Sequence, residues 1–191
     1  MLRDISLHIL DLTQNSIKAK AKRIDIGLSA DRTTGLLSVV ISDDGCGMSK
    51  EFLAKVEDPF TTSRTTRKVG MGIPFFKFAC LQSGGHFTIG SEEGKGTTLQ
   101  GSMGIDSIDR LPLGNLGDTV KLLIMQSPEV RLILRLSADG NDAVIDTDEI
   151  KAQLGDVSIT EREILDWIEE FINENVSNIF GGVLNEIVRR A

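Results

Sequence analysis

Asp11, Asn15 and Lys18 stand four and three residues apart, a spacing that projects side chains from neighbouring turns of one helix face. An acid, an amide and a cation then point at one place. The amide carbonyl is a hard oxygen of the kind Mg²⁺ takes. That ion keeps most of its waters and draws its other ligands from phosphates, so one protein oxygen suffices. A carboxylate one turn away can orient and deprotonate an attacking water or hydroxyl. Taken alone, the same residues equally describe the solvated side of a surface helix.

Three glycine turns widen the set. In Asp43-Asp44-Gly45-Cys46-Gly47 a strand ends in an acid, and the glycines let the backbone approach a flat ligand. Asp43 is placed to accept an amino hydrogen from a base such as adenine, although Asp-Gly turns also close many hairpins. Gly70-Met71-Gly72 precedes an apolar helix and reads either as an anion site at a positive helix end or as a plain loop-to-helix joint. Gly94-Lys95-Gly96-Thr97-Thr98 reads as a tight hairpin whose threonine hydroxyls can reach base-bound water. Offsets exclude two familiar phosphate patterns. Position 89 is Ile and Gly96 follows Lys95, so no P-loop exists there, and Lys50, Phe75 and Leu99 break every start of a G-x-G-x-x-G.

The elements that must carry these residues follow from periodicity. Ile5, Ile9, Leu12, Ser16 and Ala19 form one stripe of a helix over 4–20. Two β-branched runs, 23–29 and 36–42, flank a turn-rich 30–35 and predict a hairpin. Ser49 is suited to cap a short helix ending at Val56, and residues 57–72 read as a long functional loop. A Phe-rich helix over 73–81, with Pro74 in its first turn, stops at Ser83-Gly84-Gly85, and strands 86–90 and 97–103 complete a two-layer α/β unit. Beyond residue 105 the texture changes. Pro112, Gly114 and Gly117 suggest a linker and a domain boundary, followed by a helix from Thr119 capped by Asp118. Strands 130–136 and 143–145 flank Asp139-Gly140-Asn141, a hairpin turn. Thr147 is expected to cap a helix ending at Gly155, and Thr160 with Glu163 to form a capping box. Ile164, Ile168, Phe171, Ile172, Ile179, Val183 and Ile187 form an apolar stripe with Trp167 beside it, read as core more than as interface.

Composition bounds the function. With 191 residues and 40% apolar content the chain can bury a full core. It carries no run long and apolar enough to span a membrane and no cleavable leader at its start, so a soluble cytoplasmic protein without membrane attachment is expected. Two cysteines, Cys46 and Cys80, are too few for a disulfide framework or a metal cluster. A net charge of −7 argues against nucleic acid as a partner, whereas a nucleotide needs only a local nest of donors and a cation or two.

The order of these motifs resembles the Bergerat-fold ATP-binding domain of the GHKL (histidine kinase-like) ATPase and kinase superfamily over residues 4–104. Leu10 to Ala19 resembles the asparagine box, and Asp43, Gly45 and Gly47 the first glycine box. Asp58-Pro59-Phe60-Thr61-Thr62 resembles the phenylalanine box and lid entrance of sensor histidine kinases. Gly70 and Gly72 match the second glycine box, and Gly94, Gly96 and Thr97 the third. The resemblance implies an α+β, two-layer α/β sandwich over 1–104 with a small C-terminal α/β extension over 105–191. It implies Asn15 on Mg²⁺, Asp43 on adenine, residues 57–72 as the ATP lid and Lys18 near a phosphate. The implied ATP-binding set is Asn15, Lys18, Asp43, Gly45, Gly47, Met48, Phe60, Thr61, Thr62, Gly70, Met71, Gly72, Ile73 and Thr97.

At the position of Asp11 the group's ATPases and serine kinases usually carry Glu as general base, and its sensor histidine kinases usually Asn. Asp11 is therefore the expected catalytic residue, and an ordinary histidine kinase is disfavoured. Acceptor histidines of sensor kinases lie on a separate upstream dimerisation hairpin, and because the asparagine helix begins almost at Met1 no such hairpin is expected here and the phosphoacceptor is expected on another protein. His8 is expected to be a helix-surface or packing residue and His86 to lie at a strand start. The leading expectation is Mg²⁺-dependent phosphoryl transfer from ATP to a partner protein, as in small serine kinases and anti-sigma-type regulators. A nucleotide-gated binding module or a slow ATPase is the alternative, and an energy-transducing ATPase ranks last because residues 105–191 are too short for that machinery. A homodimer or a partner-helix groove is expected if the C-terminal stripe is exposed.

Overall fold

The computed structural model describes residues 2–56 and 71–184. Helix α1, Ile5–Lys18, starts where the Asp4 carboxylate accepts the Leu7 N–H at 2.8 Å, and it buries Ile5, Ile9, Leu12 and Ser16. Strands β1, Arg23–Asp31, and β2, Leu36–Asp43, form the expected antiparallel hairpin, with Ile24 opposite Asp43. In α2, Lys50–Val56, Ser49 Oγ accepts the Phe52 N–H, as a capping serine should. Helix α3, Gly72–Gln82, precedes β3, Phe87–Glu92, and β4, Gly96–Gly104. Then come α4, Leu116–Gln126; β5, Arg131–Ala138; β6, Asn141–Asp146; α5, Thr147–Leu154; and α6, Arg162–Phe180.

The sheet order is β3-β4-β2-β1-β5-β6, antiparallel except for the parallel β1/β5 pair. Alternation along β1 and β2 buries Ile24, Ile26, Leu28, Leu37, Val39 and Ile41 on one face. Each such side chain contributes about 1.5–3 kcal/mol when removed from water. That face carries the helical layer, in which α3, α1, α4 and α6 lie as successive neighbours, so the fold is a two-layer α+β sandwich. Among the described residues no helix is long and apolar enough to cross a membrane.

The change of texture past residue 105 does not interrupt the sheet. The whole of β5 pairs with β1, from Arg23↔Arg131 to Ala30↔Ala138, and one core cluster runs from Ile5 to Leu184. The connecting segment is strapped to the start of α1. Ile5 N–H donates to Pro112 O, Ser6 N–H to Leu113 O, and Ser6 Oγ to Leu113 O at 2.6 Å. Glycine and proline there mark a turn-rich strap that shares backbone bonds with α1.

Three expected helix starts are corrected. Asn115, not Asp118, caps α4, its side-chain oxygen accepting the Asp118 N–H at 2.9 Å. Asp146, not Thr147, caps α5 through the Asp148 N–H at 3.0 Å, while Thr147 Oγ1 accepts the Leu132 N–H at 2.9 Å. The Thr160/Glu163 box does not form, because Thr160 Oγ1 pairs with Ser158 Oγ at 2.7 Å and α6 begins at Arg162. In each case a nearby polar side chain offered the orphan N–H or hydroxyl a better partner. The C-terminal stripe divides. Ile168, Ile172, Ile179 and Val183 are core, whereas Trp167 and Phe171 stack on the surface with centroids 5.3 Å apart. Ile187 lies outside the described residues.

Candidate functional site

Asp43 ends β2 between Ile24 of β1 and Thr97 of β4. Both oxygens of its half-buried carboxylate are held: Ser16 Oγ–H donates to Oδ2 at 2.6 Å and Gly45 N–H to Oδ1 at 2.9 Å. Each bond occupies one lone pair of the carboxylate and fixes the direction of those that remain. The Ser16 bond also pins α1 to the end of the sheet, one residue beyond Asn15.

Glycine turns one and three are laced together by backbone. Cys46 N–H donates to Ala19 O at 2.9 Å, and Gly94 N–H donates to Cys46 O at 2.8 Å. Ser91 Oγ accepts the Met48 N–H at 2.8 Å and lies 2.9 Å from Thr97 Oγ1. Two glycines are obligatory for this approach. Gly47 (φ +63°) and Gly96 (φ +106°) adopt left-handed backbone, and a Cβ would lie 2.0 Å from Glu92 O at the first and 1.9 Å from Asp43 O at the second. Asp44 turns the other way, where the backbone N–H groups of Arg23 and Lys22 hold its carboxyl below the usual carboxylate range.

Asp11, Asn15 and Lys18 follow one another along one face of α1 as the spacing predicts, with Asp11 and Asn15 half-buried and Lys18 exposed. Asp11 lies against α3: a Cβ on Gly72 would sit 1.7 Å from its Oδ2. One turn earlier His8 is fully buried against Phe76, with ring centroids 5.5 Å apart and, among the described residues, no hydrogen-bond partner for either nitrogen. Burial pushes the His8 pKa down, opposed by the charges of Asp11 and Asp4. His86 is exposed at the foot of β3. Met71 is exposed at the cap of α3 and Ile73 packs partly on the core. Phe60, Thr61, Thr62 and Gly70 lie outside the described residues.

The structure thus gathers Asp43, Gly45, Gly47, Met48 and Thr97 at the end of the sheet beside the last turn of α1, next to Asn15, while Asp11 meets Gly72 one turn further back along the helix. Sequence reasoning missed two members. Ser16 was assigned to an apolar stripe, yet a hydroxyl among Ile5, Ile9 and Leu12 on a buried face needs a partner, and that was a readable signal. Ser91 gave none, because only strand pairing sets it beside Thr97. The hollow lined by Ile26, Val120, Ile124, Leu134 and Ile168 beneath α4 and α6 belongs to the core and not to this site.

The family described as histidine kinase-, DNA gyrase B- and HSP90-like ATPase matches residues 3–104. Histidine protein kinase DivJ of Caulobacter vibrioides is 27% identical over 95 residues, covering 48% of this chain and 16% of that protein. Sporulation kinase C of Bacillus subtilis is 28% identical over 91 residues, covering 48% of this chain and 21% of its own length. The chain therefore spans about a fifth or less of these curated relatives. Among solved structures, the N-terminal domain of a DNA repair protein superposes with a TM-score of 0.50 at 14% identity, covering 75% of this chain and 52% of that one, a likeness of fold alone.

Proposed function

We propose, from the premise that this chain belongs to the histidine kinase-, DNA gyrase B- and HSP90-like ATPase family, that it transfers the γ-phosphoryl group of ATP to a hydroxyl on a partner protein. ATP binding and kinase-like character come with the family; the transfer and the acceptor are our reading. One observation carries it: an acid, Asp11, stands one turn from Asn15 on a helix that Ser16 ties to Asp43 at 2.6 Å. In this reading one helix holds a phosphate-side acid and amide and is tied to a base-binding carboxylate.

In this reading Asp43 accepts the adenine amino hydrogen, with Thr97 and Met48 beside it. The Asn15 amide makes no side-chain hydrogen bond among the described residues, and its oxygen suits Mg²⁺, which when bound neutralises triphosphate charge. Lys18, the backbone N–H groups of Gly70 and Gly72, and the lid residues Phe60, Thr61 and Thr62 complete the proposed ATP set with Gly45, Gly47, Met71 and Ile73. The acceptor oxygen bonds to the γ-phosphorus as the bond to the β–γ bridging oxygen breaks. Its proton passes to Asp11 and ADP leaves. A second reading, ATP gating a protein-binding surface without transfer, draws on the exposed Trp167–Phe171 stack.

Incubation with γ-labelled ATP and Mg²⁺, alone and with proteins of the same cell, separates these readings. Label on a partner, abolished in Asp11→Ala while ATP binding persists, is the expected result. Free phosphate alone would make the protein a slow ATPase, tight binding with neither product would make it a gated module, and full turnover by Asp11→Ala would remove that residue from the chemistry.

A further inference from the structure

Gly72 stands where glycine is a poor choice for the fold. It opens α3 in ordinary helical backbone and is buried, so alanine would be the better helix former there. What excludes a side chain is one group. A Cβ on Gly72 would lie 1.7 Å from Asp11 Oδ2, 2.9 Å from Cγ and 3.8 Å from Cβ of the same residue, its three nearest atoms among the described residues outside its own helix backbone and chain neighbours. The gap cannot widen freely, because one turn along each helix His8 packs on Phe76 at 5.5 Å with both rings fully buried. The cap of α3, Met71, supplies no side-chain hydrogen bond, and among the described residues the Asp11 carboxylate meets this positive helix end.

We propose that Gly72 is a positioning residue for phosphoryl transfer: its bare Cα is the seat that sets the Asp11 carboxylate, separately from any service of its N–H to a phosphate. The inference rests on the reading of Asp11 as general base. A methyl group at 72 meets only the end of a movable side chain, so the chain still folds, but the carboxylate is swung off its seat.

The test is Gly72→Ala, alone and combined with Asp11→Ala, in the full chain with Mg²⁺ and γ-labelled ATP. The expected single variant keeps its melting temperature, ATP affinity and KM, since the backbone N–H remains. Its kcat falls by about 10²-fold, the cost of a misplacement on the order of 1 Å. In the Asp11→Ala background Gly72→Ala leaves ATP affinity unchanged as well, and a crystal structure of Gly72→Ala shows the carboxylate displaced from the start of α3. An unchanged kcat, an unmoved carboxylate, or a loss of ATP affinity that persists in the Asp11→Ala background each overturns the proposal. Normal turnover by Asp11→Ala alone is a different failure: it strikes the general-base reading, and the positioning role falls with it.

Discussion

The two ends of the candidate site are built by different means. At the Asp43 end both carboxylate oxygens, the neighbouring N–H groups and two left-handed glycines are locked into strand pairing and backbone contacts. At the Asp11 end, by contrast, side chains are placed by one helix face and by the space a neighbouring glycine leaves. A rigid backbone-made end suits recognition of an invariant flat base. An end made of side chains at a helix seam suits groups that must move protons and accept a changing ligand.

The strongest break in that comparison is Asp43→Ala. It removes a charged acceptor worth about 1.5–3 kcal/mol to a donor, so ATP affinity falls about 10- to 100-fold by calorimetry with or without Mg²⁺. Asn15→Ala should weaken binding only when Mg²⁺ is present, and an equal loss without the ion would mean that Asn15 touches the nucleotide directly.

Gly47→Ala probes the backbone itself. Left-handed backbone and the carbonyl of Glu92 both oppose a Cβ, so urea denaturation should show a loss of about 1–3 kcal/mol, alongside weaker ATP binding. Wild-type stability in that variant would mean that the laced turns relax at little cost, and the contrast between the two ends would blur.

The smallest effect is a pH dependence at the α1/α3 seam. His8 has a folded pKa below its unfolded value of about 6.5. Below pH 6.5 the unfolded chain therefore binds a proton that the native state refuses. Stability is full above that pH and declines as pH falls towards the folded pKa. The urea midpoint should drop between pH 7 and 5, and His8→Phe should flatten that slope; an unaltered slope in the variant would assign it to other groups.

Much of this was readable from the chain. The four- and three-residue steps of Asp11, Asn15 and Lys18 dictate a shared helix face wherever the helix packs, and the alternation of β1 and β2 dictates a half-buried hairpin ending in Asp43. Caps were read less well, since Asn115, Asp146 and Ser158 compete with equally plausible neighbours and only final backbone angles choose among them. The strap at 105–115 looked like a linker because glycine and proline mark turns whether or not the backbone is bonded to another element.

By itself, then, the sequence determined which residues share a local face and which turns need glycine, because helical and strand periods are properties of a few consecutive residues. Tertiary structure alone decided that Ser16 holds Asp43, that Ser91 meets Thr97, that β5 lies beside β1 and that Asp11 rests on Gly72. Those contacts join residues far apart in the chain. They are selected by the burial and pairing of whole elements, a choice that no local pattern encodes.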